Sequence, residues 1–309
     1  MVTTTALSAV GLGWALRRVR RDLPPRRVPV LGLAAAFLFA AQMVNFPVAG
    51  GTSGHLVGGV LVAALLGPSA AVVVLATVLI IQCFLFGDGG VLALGANLFN
   101  MGILGAAGGA AVYRLVCALL PGAQGRVTAV AFAGWCSYVL AAIGCSGELA
   151  WSGTVGWSAG FAAMTGVHLL IGLGEGLISA LVFLAILRTR PDLVTAAGEA
   201  NGRAGWGELV RYGMLGVLGL AVWVAPFACP WPDGLESVAA RLGFEQRATE
   251  PMLPSFAPDY RVPGVAWAAG ATAIAGAAGA LVVFGLAFLL GRWLVRKPEN
   301  SGCGNLGKP

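Results

Sequence analysis

The sequence is poor in charged residues. Only 10% of its 309 residues are Asp, Glu, Lys or Arg, whereas 58% are hydrophobic and the mean hydropathy is +0.85. A soluble globular domain carries about 25% charged residues. So few charges cannot cover a water-facing surface, which excludes a soluble globule. The 47 glycines suit helices packed closely in a bilayer, where small residues let backbones approach each other.

Lysine is nearly absent. The two lysines, Lys297 and Lys308, lie near the C-terminus, and neither belongs to a Gly-x-x-x-x-Gly-Lys-[Ser/Thr] phosphate loop. We therefore predict that the chain is not an enzyme, and that any ATP hydrolysis behind its function takes place in separate subunits. There is also no basic stripe with interleaved aromatic residues, which argues against a nucleic-acid partner.

Apolar segments dominate what is present. A hydrocarbon core of about 30 Å takes roughly 20 helical residues. Nine segments approach or exceed that length, at about 1–16, 28–47, 54–67, 68–86, 91–119, 127–146, 159–188, 209–228 and 263–295. We predict an all-α polytopic membrane protein in contact with lipid, with about seven transmembrane helices followed by a two-helix hairpin.

Four regions follow from this pattern. They are a transmembrane domain (1–190), a cytoplasmic linker (191–208), a hairpin (209–295) with an extracytoplasmic loop (229–262), and a cytoplasmic tail (296–309). The loop is too polar to face lipid, so we expect it to fold as a small external cap. If the first segment runs inward, 16 of the 19 Lys and Arg residues lie inside. The positive-inside rule then predicts an outer N-terminus and a cytoplasmic C-terminus.

The first candidate site is the Gly-rich stretch from Asn45 to His55, which joins the second and third segments. Irregular backbone at membrane depth is tolerated only where protein buries it or where it lines a cavity. His55 follows immediately, and a neutral imidazole is the commonest transition-metal ligand. An interfacial histidine satisfied by a neighbour is the alternative interpretation.

Two further groups are candidates. His168 and Glu175 stand seven residues apart on one apolar helix and so share a face. Ionisable residues in a membrane are functional candidates by default, although a structural hydrogen-bonded pair is the alternative. Asn97 and Asn100, a turn apart near the Gly-Asp-Gly-Gly turn at 87–90, could orient a metal ligand by hydrogen bonds or simply join helices.

Other function classes have some support. Gly51-Thr-Ser53-Gly54 matches the Gly-x-Ser-Gly motif of rhomboid intramembrane proteases, with His168 as the base. Such catalysis needs the nucleophile and base within hydrogen-bond reach. A passive channel or a structural membrane subunit is the other alternative.

Three motifs together resemble a known family. They are Asn45-Phe-Pro-Val-Ala-Gly-Gly-Thr-Ser-Gly-His55, then Phe86-Gly-Asp-Gly-Gly with Leu94-Gly-Ala-Asn-Leu-Phe-Asn100, then His168-Leu-Leu-Ile-Gly-Leu-Gly-Glu175. Over about residues 5–190 they resemble the CbiM/NikM substrate components of energy-coupling-factor (ECF) transporters. The hairpin, with Pro232-Asp-Gly-Leu-Glu236 and Pro258-Asp-Tyr-Arg-Val-Pro-Gly264, resembles the CbiN/NikN-like PDGLE module.

The resemblance implies a function. Such subunits bind Ni²⁺ or Co²⁺ as transported substrate, hold no permanent cofactor, and work in the bacterial inner membrane with a CbiQ/NikQ-like coupling protein and two CbiO/NikO-like ATPases. It makes His55 a metal ligand, with Asn45, Asn97, Asn100, His168 and Glu175 as supporting candidates. The family's remaining ligands come from a Met-His N-terminus, whereas this sequence begins Met1-Val2. Either the natural start lies upstream or this protein has lost most of that site. The short first segment favours the former, and we expect an in-frame Met-His start roughly 10–20 residues upstream, because that length would restore a full first span.

Overall fold

The computed structural model describes residues 2–194, 205–247 and 252–295, which form a helical bundle. Most of the predicted linker and the whole predicted tail lie outside these residues. The longer helices in the described part are α1 (Val2–Asp22), α2 (Val28–Gln42), α4 (Pro68–Ile81), α7 (Gly122–Trp151), α8 (Trp157–Thr189), α9 (Trp206–Gly219) and α11 (Ala268–Leu294). The shorter ones are α3 (Gly59–Leu66), α5 (Leu94–Asn97), α6 (Gly109–Leu119) and α10 (Gly234–Leu242).

Six helices of the described chain are long and apolar enough to cross a membrane. They are Pro68–Phe86, Leu94–Leu119, Gly122–Trp151, Trp157–Thr189, Trp206–Phe227 and Ala268–Leu294. A seventh span is counted if Val2–Asp22 and Pro25–Gln42, which pass the same test together but are bent by 118°, form one span. The predicted all-α polytopic membrane fold is therefore confirmed.

The first three predicted segments differ from the observed helices. α1 does not end near residue 16 but continues through the arginine cluster to Asp22. Arg18 forms an ion pair with Asp22, with 3.2 Å between Nη1 and Oδ2. These charges make its C-terminal end polar. α2 has only 15 residues because it begins after a 3₁₀ turn, Pro25–Arg27, started by two prolines. Its apolar side chains are mostly buried by protein, so α2 is an interior helix of the bundle.

The third predicted segment, 54–67, is helical only in its second half. Strands β1 (Phe46–Val48) and β2 (Thr52–Gly54) form an antiparallel hairpin, with Phe46 opposite Gly54. Its turn contains Gly50 and Gly51 at φ 80° and 72°, a backbone shape that glycine adopts without strain. Residues 55–58 are non-helical, so α3 has eight residues. His55 thus lies on irregular backbone, as the sequence indicated.

Three of the long described helices contain π-helical segments, one of them Leu220–Val224 after α9 and the other two beside the cavity. The continuous helix Leu94–Leu119 is π-helical over Leu98–Gly108, and α4 continues into a π-helical turn over Gln82–Phe86. Such segments are frequent at functional sites, because the extra residue per turn redirects side chains. They carry Asn100 and Gln82, two polar residues buried in the bundle.

The C-terminal hairpin packs directly on the preceding helices. α11 lies along α2, and α9 contacts α2 as well. The approach is close: a Cβ atom on Gly32 of α2 would lie 3.1 Å from the carbonyl oxygen of Phe284 on α11. Between α9 and α11, the loop predicted at 229–262, called the outer loop or cap below, contains α10, which contacts α8 and β2.

The two ends of the bundle differ in their arginines. At one end, Arg27 Nη1 donates to the carbonyl oxygen of Leu65 at 3.1 Å, and Arg126 Nη1 to that of Val194 at 3.0 Å. At the end that carries the β-hairpin, Arg241 Nη2 donates to the carbonyl oxygen of Gly50 at 2.9 Å. The many arginines beside α1, α6, α7 and α8 thus lie opposite the outer loop.

Candidate metal centre

A cavity of about 550 Å³ lies beneath the β-hairpin and α10. It is lined by five of the six residues singled out from the sequence, namely Asn45, His55, Asn97, Asn100 and His168. These residues come from non-helical backbone, from the helix 94–119 and from α8. The structure therefore brings together groups that are up to 123 residues apart in the chain. Glu175 does not line the cavity.

Three rings form a row along one wall. The Tyr138 ring lies between the two imidazoles, with centroids 6.5 Å from His55 and 5.7 Å from His168. His168 Nδ1 lies 2.7 Å from the carbonyl oxygen of Met164. A carbonyl oxygen can only accept, so Nδ1 carries the hydrogen and Nε2 keeps its lone pair. His168 is thereby held in one tautomer.

Glu175 supports the segment that carries His55. Its side chain is fully buried, and its two carboxylate oxygens accept hydrogen bonds from the backbone N–H groups of Val57 (2.7 Å) and Gly58 (2.9 Å). These N–H groups precede α3, where helix geometry leaves donors unpaired and favours a negative charge. The predicted pair of His168 and Glu175 is thus divided: one side chain faces the cavity and the other holds the chain beyond His55.

Amide side chains continue this support. Gln42 Nε2 donates to the carbonyl oxygen of Val57 at 3.3 Å, and Gln82 Nε2 donates to Gln42 Oε1 at 2.9 Å. Asn45 takes part through its backbone, whose carbonyl oxygen accepts from the N–H of Cys229 at 2.9 Å. The stretch on either side of His55 is therefore held by α2, whose Gln42 is bonded in turn to Gln82, and by the outer loop.

The cavity is also lined by four carboxylates that were not among the predicted site residues, namely Asp88, Asp233, Glu236 and Asp259. The cavity lining contains no lysine or arginine. Asp233 Oδ1 accepts from Glu236 N at 2.8 Å, and Glu236 Oε2 accepts from Asp233 N at 3.0 Å, a capping box that starts α10. The spacing Asp233-x-x-Glu236 was a readable helix-start signal.

The outer loop is held over the site by hydrogen bonds from the backbone and from side chains. The N–H of Ser53 donates to the carbonyl oxygen of Pro232 at 2.8 Å, and Ser53 Oγ donates to that of Trp231 at 2.7 Å. Thr52 Oγ1 and Ser237 Oγ lie 2.8 Å apart. Gly234 rests on His168, since a Cβ atom there would lie 2.8 Å from Nε2.

These contacts do not favour the protease alternative. The Ser53 hydroxyl is fully buried and donates to a backbone carbonyl, while His168 Nδ1 bonds to Met164. The nucleophile is thus engaged away from His168, whereas catalysis requires a hydrogen bond between the nucleophile and its base. Within the described ranges, no group of three His, Cys, Asp or Glu residues is arranged to hold a metal ion.

Comparison with known proteins identifies the family. Residues 1–193 match the cobalt uptake substrate-specific transmembrane region, CbiM. The chain belongs to the CbiM family. Residues 207–297 match the PDGLE domain, so this CbiM-family chain also contains the module that the hairpin resembled.

Relatives match either both parts of the chain or its first part. A fused nickel transport protein, NikMN, of Archaeoglobus fulgidus is 38% identical over 289 residues, which cover 93% of this chain and 92% of the relative. The cobalt transport protein CbiM 2 of Pelobacter propionicus is 34% identical and covers 65% of this chain and 91% of its own. The crystal structure of a truncated transition metal transporter superposes with a TM-score of 0.55 at 34% identity, covering 60% of this chain and 92% of that one.

Proposed function

We propose that this chain is the substrate-binding membrane component of an ATP-driven, ECF-type importer of Ni²⁺ or Co²⁺. The observation that carries the proposal is the cavity, whose lining in the described part of the chain holds two imidazoles and four carboxylates and neither lysine nor arginine. The negative charges of such a lining attract a divalent cation. The low-dielectric walls of the cleft strengthen this attraction, because they focus the electric field. The names of the relatives, for nickel and for cobalt transport, agree with this cargo.

His55 is the ligand we assign to the metal. It is half-buried, lines the cavity, and its Nδ1 lies 3.5 Å from the Leu56 carbonyl oxygen, at the limit of a hydrogen bond. Its ring is therefore free to coordinate through nitrogen, which suits Ni²⁺ and Co²⁺. Asn45, Asn97, Asn100 and His168 are the supporting residues, and Glu175 positions the backbone beyond His55. The cation is substrate, and we propose no permanent cofactor.

Energy comes from other chains in this proposal. The sequence contains no phosphate-binding loop with lysine, so the partners are a CbiQ/NikQ-like coupling protein and two CbiO/NikO-like ATPases. We place the chain in the bacterial inner membrane, with the arginine-rich end in the cytoplasm and the cavity facing outward. Residues 1–190 then bind the metal, the hairpin 209–295 covers it, and 191–208 and 296–309 are the cytoplasmic linker and tail.

The test is metal uptake into proteoliposomes. The full chain, co-reconstituted with its coupling and ATPase subunits, is expected to accumulate ⁶³Ni²⁺ or ⁵⁷Co²⁺ only when ATP is present on the ATPase side. The variant His55→Ala should abolish accumulation while ATPase assembly persists. Uptake that proceeds without ATP or without the partner subunits would favour a passive channel and overturn the proposal. A Glu208→Gln control should retain uptake, because Glu208 is exposed and does not line the cavity.

A further inference from the structure

Tyr138 of α7 stands between the two histidines of the cavity and lines the cavity with them. Its ring centroid lies 6.5 Å from that of His55, with the ring planes inclined at 64°, and 5.7 Å from that of His168, with the planes inclined at 31°. Aromatic rings attract each other at centroid separations of about 4.5–7 Å, and an edge-to-face approach is one of the favoured arrangements. Tyr138 therefore packs against both imidazoles.

The imidazole of His55 has few restraints of its own. It follows the β-hairpin on non-helical backbone and is half-buried. In the described part of the chain, the hydrogen-bond contact of its ring is the 3.5 Å approach of Nδ1 to the carbonyl oxygen of Leu56. Glu175 and Gln42 are bonded to the backbone beyond His55 and not to the ring itself. The orientation of the ring therefore depends on the side chain that packs against it.

Tyr138 has a fixed position on the bundle. It is 7% exposed, and α7 lies close along α8. A Cβ atom on Gly172 of α8 would lie 3.4 Å from the Cβ atom of Tyr138. One turn earlier on α7, a Cβ atom on Gly134 would lie 3.3 Å from the Cα atom of Gly176. Helices packed this closely leave little room for a buried side chain between them to move, so the Tyr138 ring is a firm surface beside His55.

On its other side, the Tyr138 ring rests on His168. The imidazole of His168 is itself held, by the 2.7 Å contact between Nδ1 and the carbonyl oxygen of Met164. Among the described residues, no hydrogen bond joins His168 to His55. Since the Tyr138 ring lies between the two imidazoles, it is the group through which packing at His168 reaches His55.

We infer that Tyr138 is a positioning residue of the metal site, whose ring fixes the orientation of the His55 imidazole and transmits the support of His168 to it. The inference rests on the proposed function, because it concerns the metal bound at His55. Outer groups that orient a ligating histidine typically contribute about 10–100-fold to metal affinity. Tyr138 acts through His55 and is not itself a ligand.

The first experiment separates the ring from the hydroxyl group. The full chain, purified without a histidine tag, is titrated with Ni²⁺ by isothermal titration. Tyr138→Leu, which removes the ring, is expected to bind Ni²⁺ about tenfold more weakly, whereas Tyr138→Phe, which keeps the ring, should stay within about twofold of wild type. The matched control is Tyr113→Leu, because Tyr113 is a partly buried tyrosine of α6 outside the cavity lining and its replacement should leave Ni²⁺ binding unchanged.

A spectroscopic readout distinguishes positioning from general stability. Cu²⁺ binds nitrogen ligands more tightly than Ni²⁺ does, and its electron paramagnetic resonance spectrum reports the arrangement of the ligands. Wild type, Tyr138→Phe and Tyr113→Leu should each give the spectrum of one bound species. Tyr138→Leu should give a broadened spectrum of several species, because the His55 ring is no longer held in one orientation. The thermal unfolding midpoints of the two leucine variants are measured alongside.

The transmitted support is tested by His168→Ala in two backgrounds. It should weaken Ni²⁺ binding about tenfold in the wild-type chain and less than about twofold in Tyr138→Leu, because residues that act through one contact are not additive. Fully additive losses would overturn the transmission through Tyr138.

Two further outcomes would overturn the inference itself. One is a Tyr138→Leu variant with the Ni²⁺ affinity and the Cu²⁺ spectrum of wild type. The other is a loss in Tyr138→Phe as large as that in Tyr138→Leu, which would assign the effect to the hydroxyl group. The His55→Ala variant separates these results from the proposed function, since Ni²⁺ binding that survives His55→Ala would count against the metal site at His55 whatever Tyr138 does.

Discussion

The two histidines stand on opposite kinds of backbone. His168 is part of a 33-residue helix, is 9% exposed, and has its Nδ1 fixed by a 2.7 Å bond to Met164. His55 follows a two-stranded hairpin on a non-helical stretch, and its nearest polar contact is 3.5 Å long. The helix determines the position of His168 by itself. The position of His55 depends on Glu175, Gln42 and the outer loop, so the proposed metal ligand is positioned by its neighbours.

The largest effect is expected where that dependence is strongest. Glu175→Ala leaves the buried N–H groups of Val57 and Gly58 without acceptors, at about 1–3 kcal/mol each. We expect a clear drop in the thermal unfolding midpoint and faster hydrogen exchange of these two amides. Glu175→Gln keeps one acceptor oxygen and should lose less. Equal unfolding midpoints for wild type and Glu175→Ala would show that His55 is held in some other way.

The second prediction compares the imidazoles directly. His55→Ala should weaken Ni²⁺ binding by about 100-fold or more, because it removes the proposed ligand, whereas His168→Ala should weaken it by only about tenfold, as expected of a supporting residue. Isothermal titration of the purified full chain measures both. If His168→Ala proves the more damaging, the roles of ligand and supporting residue are reversed.

The third prediction concerns only the surroundings of His168. In Gly234→Ala the new methyl carbon would lie 2.7 Å from Cε1 of His168, so α10 must shift, at a cost of about 1–3 kcal/mol. Trypsin should then cleave several-fold faster after Arg241 and Arg247 in the loosened cap. Gly216→Ala is the control, because a Cβ atom there meets nothing within 4 Å. Unchanged cleavage would mean that the cap does not depend on this contact.

The smallest effect is expected at the far side of the cap. Tyr260 stacks on Phe86 and donates to Asp88 Oδ2 at 2.5 Å, and burial, together with the Asp88 charge, raises the pKa of Tyr260 well above its ordinary value. A raised pKa means that this contact contributes fully below the pH at which free tyrosine ionises, near 10, and is lost at higher pH. Proteolysis of the 252–267 loop should therefore speed up in strong alkali in wild type. In Tyr260→Phe, proteolysis of this loop should not speed up in alkali more than that of the rest of the protein. At neutral pH the variant should hold the loop on the bundle about 1 kcal/mol less tightly.

Much of this arrangement could be predicted from residue types. Apolar length gave the membrane class, and the glycines before His55 indicated the irregular backbone that the hairpin now explains. The role of Glu175 could not be predicted, because its partners are backbone N–H groups that carry no residue-specific signal. Nor could the shortness of α2 and α3 be foreseen, since protein rather than lipid buries their apolar residues.

In the outer loop too, one part of the structure could be predicted from the sequence and another could not. The spacing of Asp233 and Glu236 announces the start of a helix, yet nothing local places that helix over His168. Asp259 and Tyr260 both adopt left-handed backbone, at φ 52° and 57°, which their residue types do not indicate. That conformation depends on tertiary contacts such as the hydrogen bond from Tyr260 to Asp88.

The cap is covalently attached at one end to α9 and at the other to α11, and both of these helices pack on α2. If the cap opens, its return to the β-hairpin is therefore an intramolecular event. A tether of this length gives an effective concentration on the order of millimolar. A handful of hydrogen bonds at Ser53, Thr52 and Gly50 can then keep the cavity covered most of the time and still release quickly. A cap supplied as a separate chain would need much tighter contacts to achieve the same occupancy, and it would open correspondingly more slowly.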